Sequence, residues 1–307
     1  MRDVMRACGV LLGLCLTCTG SAADTLDTIK QRGSLIVGVK TDYRPWGSKD
    51  QRGVVDGMEI ELARDLARRL KVKLELVPAL SSTRVQLLND GKVDLILATF
   101  SVTAERNKQV TFIEPGYYAA MTGVIAPAKA GFGSEASIKG HKICGVAGNY
   151  ANKPVAGLVG KDLVEFKTLT EAEDKLREGQ CEGVAFDDVA LLYQIKSEAD
   201  KWKDYDLSVL PSVTPVPWAL AVKLGEKDSN FTKFLSNTVK EWHRKGKLLT
   251  LEKKWVGGNS MALQWLSEKV KLADQSANAA KGNDDKAAKP KPVPKQTPRT
   301  GQTPAVR

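Results

Sequence analysis

Gly91-Lys92-Val93-Asp94-Leu95-Ile96-Leu97-Ala98-Thr99-Phe100-Ser101-Val102-Thr103-Ala104-Glu105-Arg106 is the stretch from which the fold of this 307-residue chain is read. An apolar strand, Val93 to Leu97, runs into the hydroxyl-bearing residues Thr99 and Ser101 and then into Arg106. That order sets the three polar side chains near the carboxyl end of a buried strand, where open α/β sheets bind ligands. A guanidinium beside hydroxyls is a fork suited to a small carboxylate. Taken alone, Arg106 would be an ordinary exposed arginine, so the reading depends on its surroundings.

Working outward, strand and helix patterns alternate. Leu35 to Val39 reads as a buried strand, and Leu62, Ala63, Leu66, Ala67 and Leu70 fall on one helical stripe. Lys73 to Val77 is a second strand, Val85 to Asn89 a short helix, and Val93 to Leu97 a third strand. A smaller series follows: strands at His141–Val146, Gly183–Phe186 and Leu207–Leu210, with helices at Thr170–Glu178 and Asp188–Ile195. Two proline-punctuated apolar strands, Gly123–Pro127 and Pro217–Val222, bracket this series. Helices over Phe231–Lys245 and Leu248–Trp255 close the body. Such alternation predicts mostly parallel sheets covered by helices.

The ends read differently. Arg2 and Arg6, the apolar run Val10 to Leu16, and Ser21-Ala22-Ala23 have the order of a secretory signal peptide with a cleavage site before Asp24. A lipid-accepting cysteine fits less well, because Cys15 follows Leu14 and Cys18 follows Thr17. Cleavage leaves Cys144 and Cys181 as the mature cysteines, and in an oxidising compartment two cysteines form one disulfide or remain buried free thiols. His141 and His243 are the only histidines and have no ligand-like spacing, so no metal or cofactor is implied. Beyond Val270 the chain is rich in alanine, lysine and proline and reads as a disordered basic tail, with eight lysines or arginines against three aspartates. Half of the formal net charge of +10 therefore lies in that tail. The body shows no basic helix interleaved with aromatics, so nucleic acid is not an expected partner.

Several blocks together give a resemblance. They are Leu26 to Val39, Tyr43-Arg44-Pro45-Trp46, Asp56 to Ala63, Asp90 to Leu95, Thr103-Ala104-Glu105-Arg106, Phe186 to Tyr193, Lys245 to Leu248 and Glu252 to Trp255. In this order the chain resembles the family 3 extracellular solute-binding proteins, the polar amino acid receptors of ABC importers. The resemblance implies an α/β fold of the periplasmic-binding-protein-like type II: two lobes joined by two crossing strands, with a ligand cleft between them. The expected organisation is a signal peptide over 1–23, lobe 1 over 24–125 returning over 218–266, lobe 2 over 126–217, and a disordered tail over 267–307. The expected protein is a periplasmic monomer that binds a small amino acid and meets a membrane ABC permease.

Residue by residue, the resemblance assigns Arg106 to the ligand α-carboxylate and Asp187 to the α-ammonium, with Thr99 and Ser101 on the same loop as Arg106. Asp187 could instead cap the helix ahead of Val189, although Asp188 is placed to do that. Tyr43 and Trp46 match an aromatic wall over the ligand side chain. In lobe 2, Asn149 and Tyr150 stand where small hydroxyl residues are usual, and backbone N–H groups of Gly148 to Tyr150 are alternative donors. Cys144 and Cys181 match a cysteine pair found in a subset of the family. Lys40 and Gly47 bring no carboxylate to the side-chain pocket, whereas Ser81-Ser82-Thr83-Arg84 resembles a stretch of glutamate and aspartate receptors. Arg84 is thus a candidate ligand residue, and a polar or acidic amino acid is the expected ligand. Two other classes share this fold. One is an exported cyclohexadienyl dehydratase acting on prephenate or arogenate, which needs a general acid such as Asp187, Glu114 or His141. The other is a ligand-sensing module.

Overall fold

The computed structural model describes residues 24–258 and 260–287, with side chains through residue 276. The expected signal peptide and residues 288–307 lie outside the described residues.

Two five-stranded sheets form the body. The first runs in the order β5 (Lys73–Pro78), β1 (Ser34–Val39), β6 (Leu95–Leu97), β15 (Ala221–Lys223), β7 (Val110–Phe112). β1 is parallel to both β5 and β6, and β15 is antiparallel to β6 and β7. The second has the order β11 (Val164–Phe166), β10 (Ile143–Val146), β12 (Gly183–Asp187), β9 (Thr122–Pro127), β13 (Tyr205–Val209). Here β10 is parallel to β11 and β12, and β9 is antiparallel to β12 and β13. A meander of β2 (Asp42–Tyr43), β3 (Gly47–Lys49) and β4 (Val55–Asp56) projects from the first sheet. Between the sheets, β8 (Tyr118–Ala120) pairs antiparallel with β14 (Val216–Trp218).

Helices cover these sheets. On the first are α1 (Thr25–Arg32), α2 (Met58–Leu70) and α3 (Arg84–Asn89), with α8 (Asn230–Arg244) and α9 (Lys247–Val256) added after the return. On the second are α4 (Asn152–Val159), α5 (Leu169–Arg177), α6 (Asp188–Ser197) and the single turn α7 (Ala199–Trp202). The starts follow ordinary capping rules: Asp24, Thr168 and Ser229 accept backbone N–H bonds at the heads of α1, α5 and α8. On α2 the stripe read from the sequence is buried, with Leu62, Ala63 and Leu66 fully enclosed.

The crossing differs from the sequence reading. Gly123–Pro127 does not cross between the sheets; it lies in β9, wholly within the second sheet, because β12 and β13 pair on either side of it. Pro217–Val222 divides into β14, which pairs with β8, and β15, which belongs to the first sheet. The connection is therefore the β8–β14 pair, and the expected boundary at 125/126 moves back to about Met121.

The expectation of disorder is also corrected over residues 267–287. Met261–Ala287 forms one helix, α10, packed against α8 and β8. Leu263 is fully buried within the main core, and Ser267 is buried with it. The His243 ring donates from Nε2 to the Gly116 carbonyl at 2.8 Å and accepts at Nδ1 from the Ser267 hydroxyl at 2.9 Å. Glu252 of α9 accepts the Tyr118 hydroxyl at 2.6 Å and the Ser260 N–H at 2.9 Å. The start of α10 is thus tied through α8 to Gly116 and through α9 to Tyr118 of β8.

Cys144 on β10 and Cys181 just before β12 form a disulfide with a Cα–Cα distance of 5.9 Å, inside the usual range. Closing a loop of 37 residues restricts the unfolded chain by about 4 kcal/mol in the chain-entropy account. Leu263→Ala should destabilise the protein by about 2–4 kcal/mol through the cavity it leaves. A urea-denaturation midpoint that does not move would show that α10 is not part of the cooperative core.

Candidate functional site

The site is built where the two five-stranded sheets face each other. β6 ends at Leu97 and the chain turns at Thr99, whose φ of 46° lies in the left-handed region that few non-glycine residues adopt. Glu59, at the head of α2, holds this turn: its Oε1 accepts the Thr99 N–H at 2.7 Å and also the Tyr117 hydroxyl. The Ala98 and Thr99 carbonyls in turn accept Arg84 Nη1 at 2.6 and 3.1 Å. Arg84 is buried, with its guanidinium carbon 4.1 Å from the centre of the Phe100 ring. Arg106 approaches the same ring at 5.1 Å, so Phe100 has two cations over it.

Arg106 bridges the halves of the molecule. Its Nη1 donates to Ser101 O at 2.7 Å, and its Nη2 donates to Gly148 O, in the loop after β10, at 2.6 Å. A second bridge joins the Tyr43 hydroxyl to Asp187 Oδ2 at 2.6 Å. Asp187 ends β12, so the carboxylate comes from the second sheet and the phenol from the β2–β4 meander that follows β1. Gly148 has φ +76°, and a Cβ there would meet Ser81 O at 2.8 Å. Only glycine lets the two loops approach this closely.

Burial sets the electrostatics. It pushes the carboxyl groups of Glu59 and Asp187 up to about 7, against the lowering effect of their hydrogen bonds and nearby cations. The same burial pushes Arg84 down to about 9 and Arg106 to about 10, so both remain cationic at neutral pH. Lys40 is buried as well and lowered by desolvation; it pairs with Asp42 at 2.8 Å and reaches Ser81 Oγ at 3.4 Å. Asp187 Oδ1, Glu59 Oε2 and Arg84 Nε are buried with no hydrogen-bond partner among the described residues. An anion acceptor and a cation donor of opposite sign are thus both left with free valence.

Of the residues proposed from the sequence, Arg84, Thr99, Ser101, Arg106, Tyr43, Tyr150 and Asp187 come together here. Tyr150 bonds Thr122 Oγ1 at 3.0 Å and lies close enough to feel the charges of Asp187 and Arg106. Asn149 is directed elsewhere. Its Oδ1 accepts the Ala151 N–H and its own N–H donates to Val146 O, so its polar groups serve the turn. Trp46 is fully buried among Tyr43, Tyr118 and Trp218, at ring-centre distances of 5.2, 5.6 and 5.4 Å. It is the floor beneath Tyr43 and packs on the β8–β14 connection. Asp187 makes no side-chain cap on α6; Asp188 Oδ1 instead accepts the Met121 N–H at 2.9 Å. His141, beside Glu182, precedes β10 and so lies at the opposite end of that strand from Gly148. Glu114 lines a groove of about 700 Å³ between β7 and α8, away from Arg106 and Asp187. A smaller depression of about 120 Å³ lies between α6 and α9. Neither opens on the Arg106–Asp187 site, where the facing surfaces are in contact.

Sequence reading missed Glu59, Tyr117 and the Gly148 carbonyl, and took Lys40 only as the absence of a carboxylate. A signal for Glu59 was present: it falls on the same helical stripe as Leu62, Ala63 and Leu66, and an acid on a buried face needs a reason.

Two open sheets, a paired-strand connection and opposed charged groups between them define a two-lobed solute receptor. Residues 35–258 match the model of the bacterial extracellular solute-binding proteins, family 3, and the chain belongs to that family. It is 30% identical over 241 residues to the ABC transporter glutamine-binding protein GlnH of Bacillus subtilis, covering 77% of this chain and 86% of that protein. Among solved structures it resembles the L-cysteine solute receptor of Neisseria gonorrhoeae, with 27% identity and a TM-score of 0.67 over 76% of this chain and 93% of that one. It also resembles the ancestral amino acid-binding protein AncCDT-1, a precursor of cyclohexadienyl dehydratase, with 26% identity and a TM-score of 0.67 over 76% and 99% of the two chains. The fold is the type II periplasmic-binding-protein fold.

The raised carboxyls make stability depend on pH. Folding raises both pKa values, so the protonated forms favour the folded state. The contribution is full below the unfolded values near 4 and is lost as pH rises through about 7. Glu59→Gln should flatten this loss, by on the order of 2–3 kcal/mol between pH 5 and pH 8. Chemical-denaturation midpoints at the two pH values measure it, and an unchanged slope in the variant would show that Glu59 does not titrate there.

Proposed function

We propose that this receptor binds a polar α-amino acid between its lobes in the periplasm and delivers it to the permease of an ABC importer. The observation that carries the reading is the opposition of Arg106 and Asp187. A cation on the first lobe and a carboxyl on the second lie on the facing surfaces: Arg106 is bonded to backbone carbonyls alone, and Asp187 keeps Oδ1 without a partner among the described residues. The α-carboxylate accepts from Arg106, with Thr99, Ser101 and the lobe 2 loop around it. The α-ammonium donates to Asp187 Oδ1. Because the two charges are met from opposite lobes, only the closed form satisfies both, and the ligand stabilises closure by that differential affinity.

Arg84 and Lys40 bear on the side chain. Two buried cations favour a neutral polar or acidic side chain and place like charge against a basic one. The names of GlnH and of the L-cysteine receptor agree with a neutral polar ligand. A dehydratase reading has less support: GlnH and the cysteine receptor are named as binding proteins, and AncCDT-1 is itself described as amino acid-binding.

Calorimetry and thermal shift with glutamine, glutamate, aspartate, cysteine and arginine test this. A ligand at 100 times its Kd adds about 2.7 kcal/mol to stability. Arginine should rank last, and arginine binding tightest would overturn the side-chain assignment. Arg106→Ala and Asp187→Ala should each weaken binding by about 2–5 kcal/mol without unfolding the protein, since each leaves a ligand charge unpaired. Affinity near wild type in Arg106→Ala would move the site elsewhere.

The pH dependence has a definite sign. Ammonium binding favours ionised Asp187, which burial holds near 7, so binding below that pH releases a proton. Affinity should fall by up to tenfold per pH unit as pH drops below about 7. Titrations in buffers of different ionisation enthalpy count the proton. An affinity constant from pH 5 to 8 would rule out this pairing.

A further inference from the structure

α10 presents to solvent a face that the rest of the fold does not cover. While Leu263 and Ser267 point inward, Met261, Trp265 and Leu272 are 86%, 60% and 54% exposed. At about 100° per residue these three fall within an arc of roughly 40° on a helix. The Lys269 ammonium lies 4.3 Å from the Trp265 ring centre, so a cation edges the apolar stripe. One acid, Glu268, occupies the same sector and is exposed. The helix lies beyond residue 258, where the family match ends. In the sequence that follows it, residues 288–307 contain Lys289, Lys291, Lys295, Arg299 and Arg307 and no aspartate or glutamate.

We propose that this face of α10, edged by Lys269, docks the receptor on an anionic lipid surface, to which the net positive charge of the sequence after it adds long-range attraction. The two signals have different ranges. Basic residues attract the chain to an anionic surface through the ionic atmosphere, and apolar side chains then enter the interfacial zone. Tryptophan suits that zone because its ring is apolar while its N–H remains hydrated. A short stripe of three side chains is a weak anchor by itself, which is why the neighbouring charge matters. The stripe is also what favours lipid over an acidic polymer: a polyanion without acyl chains would engage the lysines and arginines and leave Trp265 and Leu272 in water. Glu268 opposes the interaction and gives it a second handle.

The full mature chain should cosediment with phosphatidylglycerol vesicles at least tenfold more tightly than with phosphatidylcholine vesicles, and less well as salt is raised. Removing residues 288–307 should weaken binding tenfold or more. Trp265→Ala combined with Leu272→Ala should weaken it several-fold with no change in melting temperature, since both side chains are exposed. Glu268→Gln should strengthen it. Equal retention on the two lipids would overturn the proposal. So would full retention of phosphatidylglycerol binding by the Trp265→Ala, Leu272→Ala variant, which would show adsorption of charge alone. Binding to polyglutamate as tight as to vesicles would assign the face to an acidic polymer instead.

Discussion

The Arg106 guanidinium is the point on which the two lobes meet. One of its amino groups is held by the carbonyl of Ser101 on its own loop and the other by the carbonyl of Gly148 on the facing loop. Both partners are backbone groups, so the cation is positioned without being neutralised. Around it lie two further buried cations, Lys40 and Arg84, and three carboxyls, Asp42, Glu59 and Asp187. Two of those carboxyls sit near 7. Whenever they carry protons the site is positive, and desolvation strengthens that field relative to water. A dry cluster of this kind is costly by itself. The compensation comes from a web of short bonds in which Glu59 fixes the turn at Thr99 and that turn fixes Arg84.

Aromatic packing links this charge cluster to the β8–β14 connection between the lobes. Trp46 contacts Tyr43, whose hydroxyl meets Asp187, and also Tyr118 and Trp218, which belong to the two strands of the connection. Tyr118 and Trp218 stack at 4.8 Å. A displacement of Tyr43 is therefore felt at the connection through rigid rings rather than through flexible side chains.

Much of this was legible in the sequence because it is periodic. The helical stripe from Leu62 to Leu70 and the alternation around Val93–Leu97 recur in the structure as α2 and β6, and the order of hydroxyls and arginine after β6 led to the loop that carries Arg106. Three things were not legible, each for its own reason. Gly123–Pro127 and Pro217–Val222 are equally apolar, and whether such a strand crosses between lobes depends on its hydrogen-bonding partners. The Gly148 carbonyl belongs to the backbone, so no residue type announces it. The helix after Met261 was hidden by composition: its alanines and lysines resemble a solvated tail, yet they are strong helix formers, and buried Leu263 with half-buried Leu266 and Val270 gives them an inner face.

The strand order of the two sheets also imposes a timetable on folding. The second sheet is assembled from one continuous stretch, β9 to β13, and every one of its pairings can form once Val209 has been made. The first sheet has no such independence. β15 bridges β6 and β7, yet it comes only at residue 221, after the whole of the second sheet. Until then β6 and β7 have no common neighbour, and their apolar edges stay open. Pairings of such long sequence separation close late, so the half of the molecule that begins the chain is the half that finishes last.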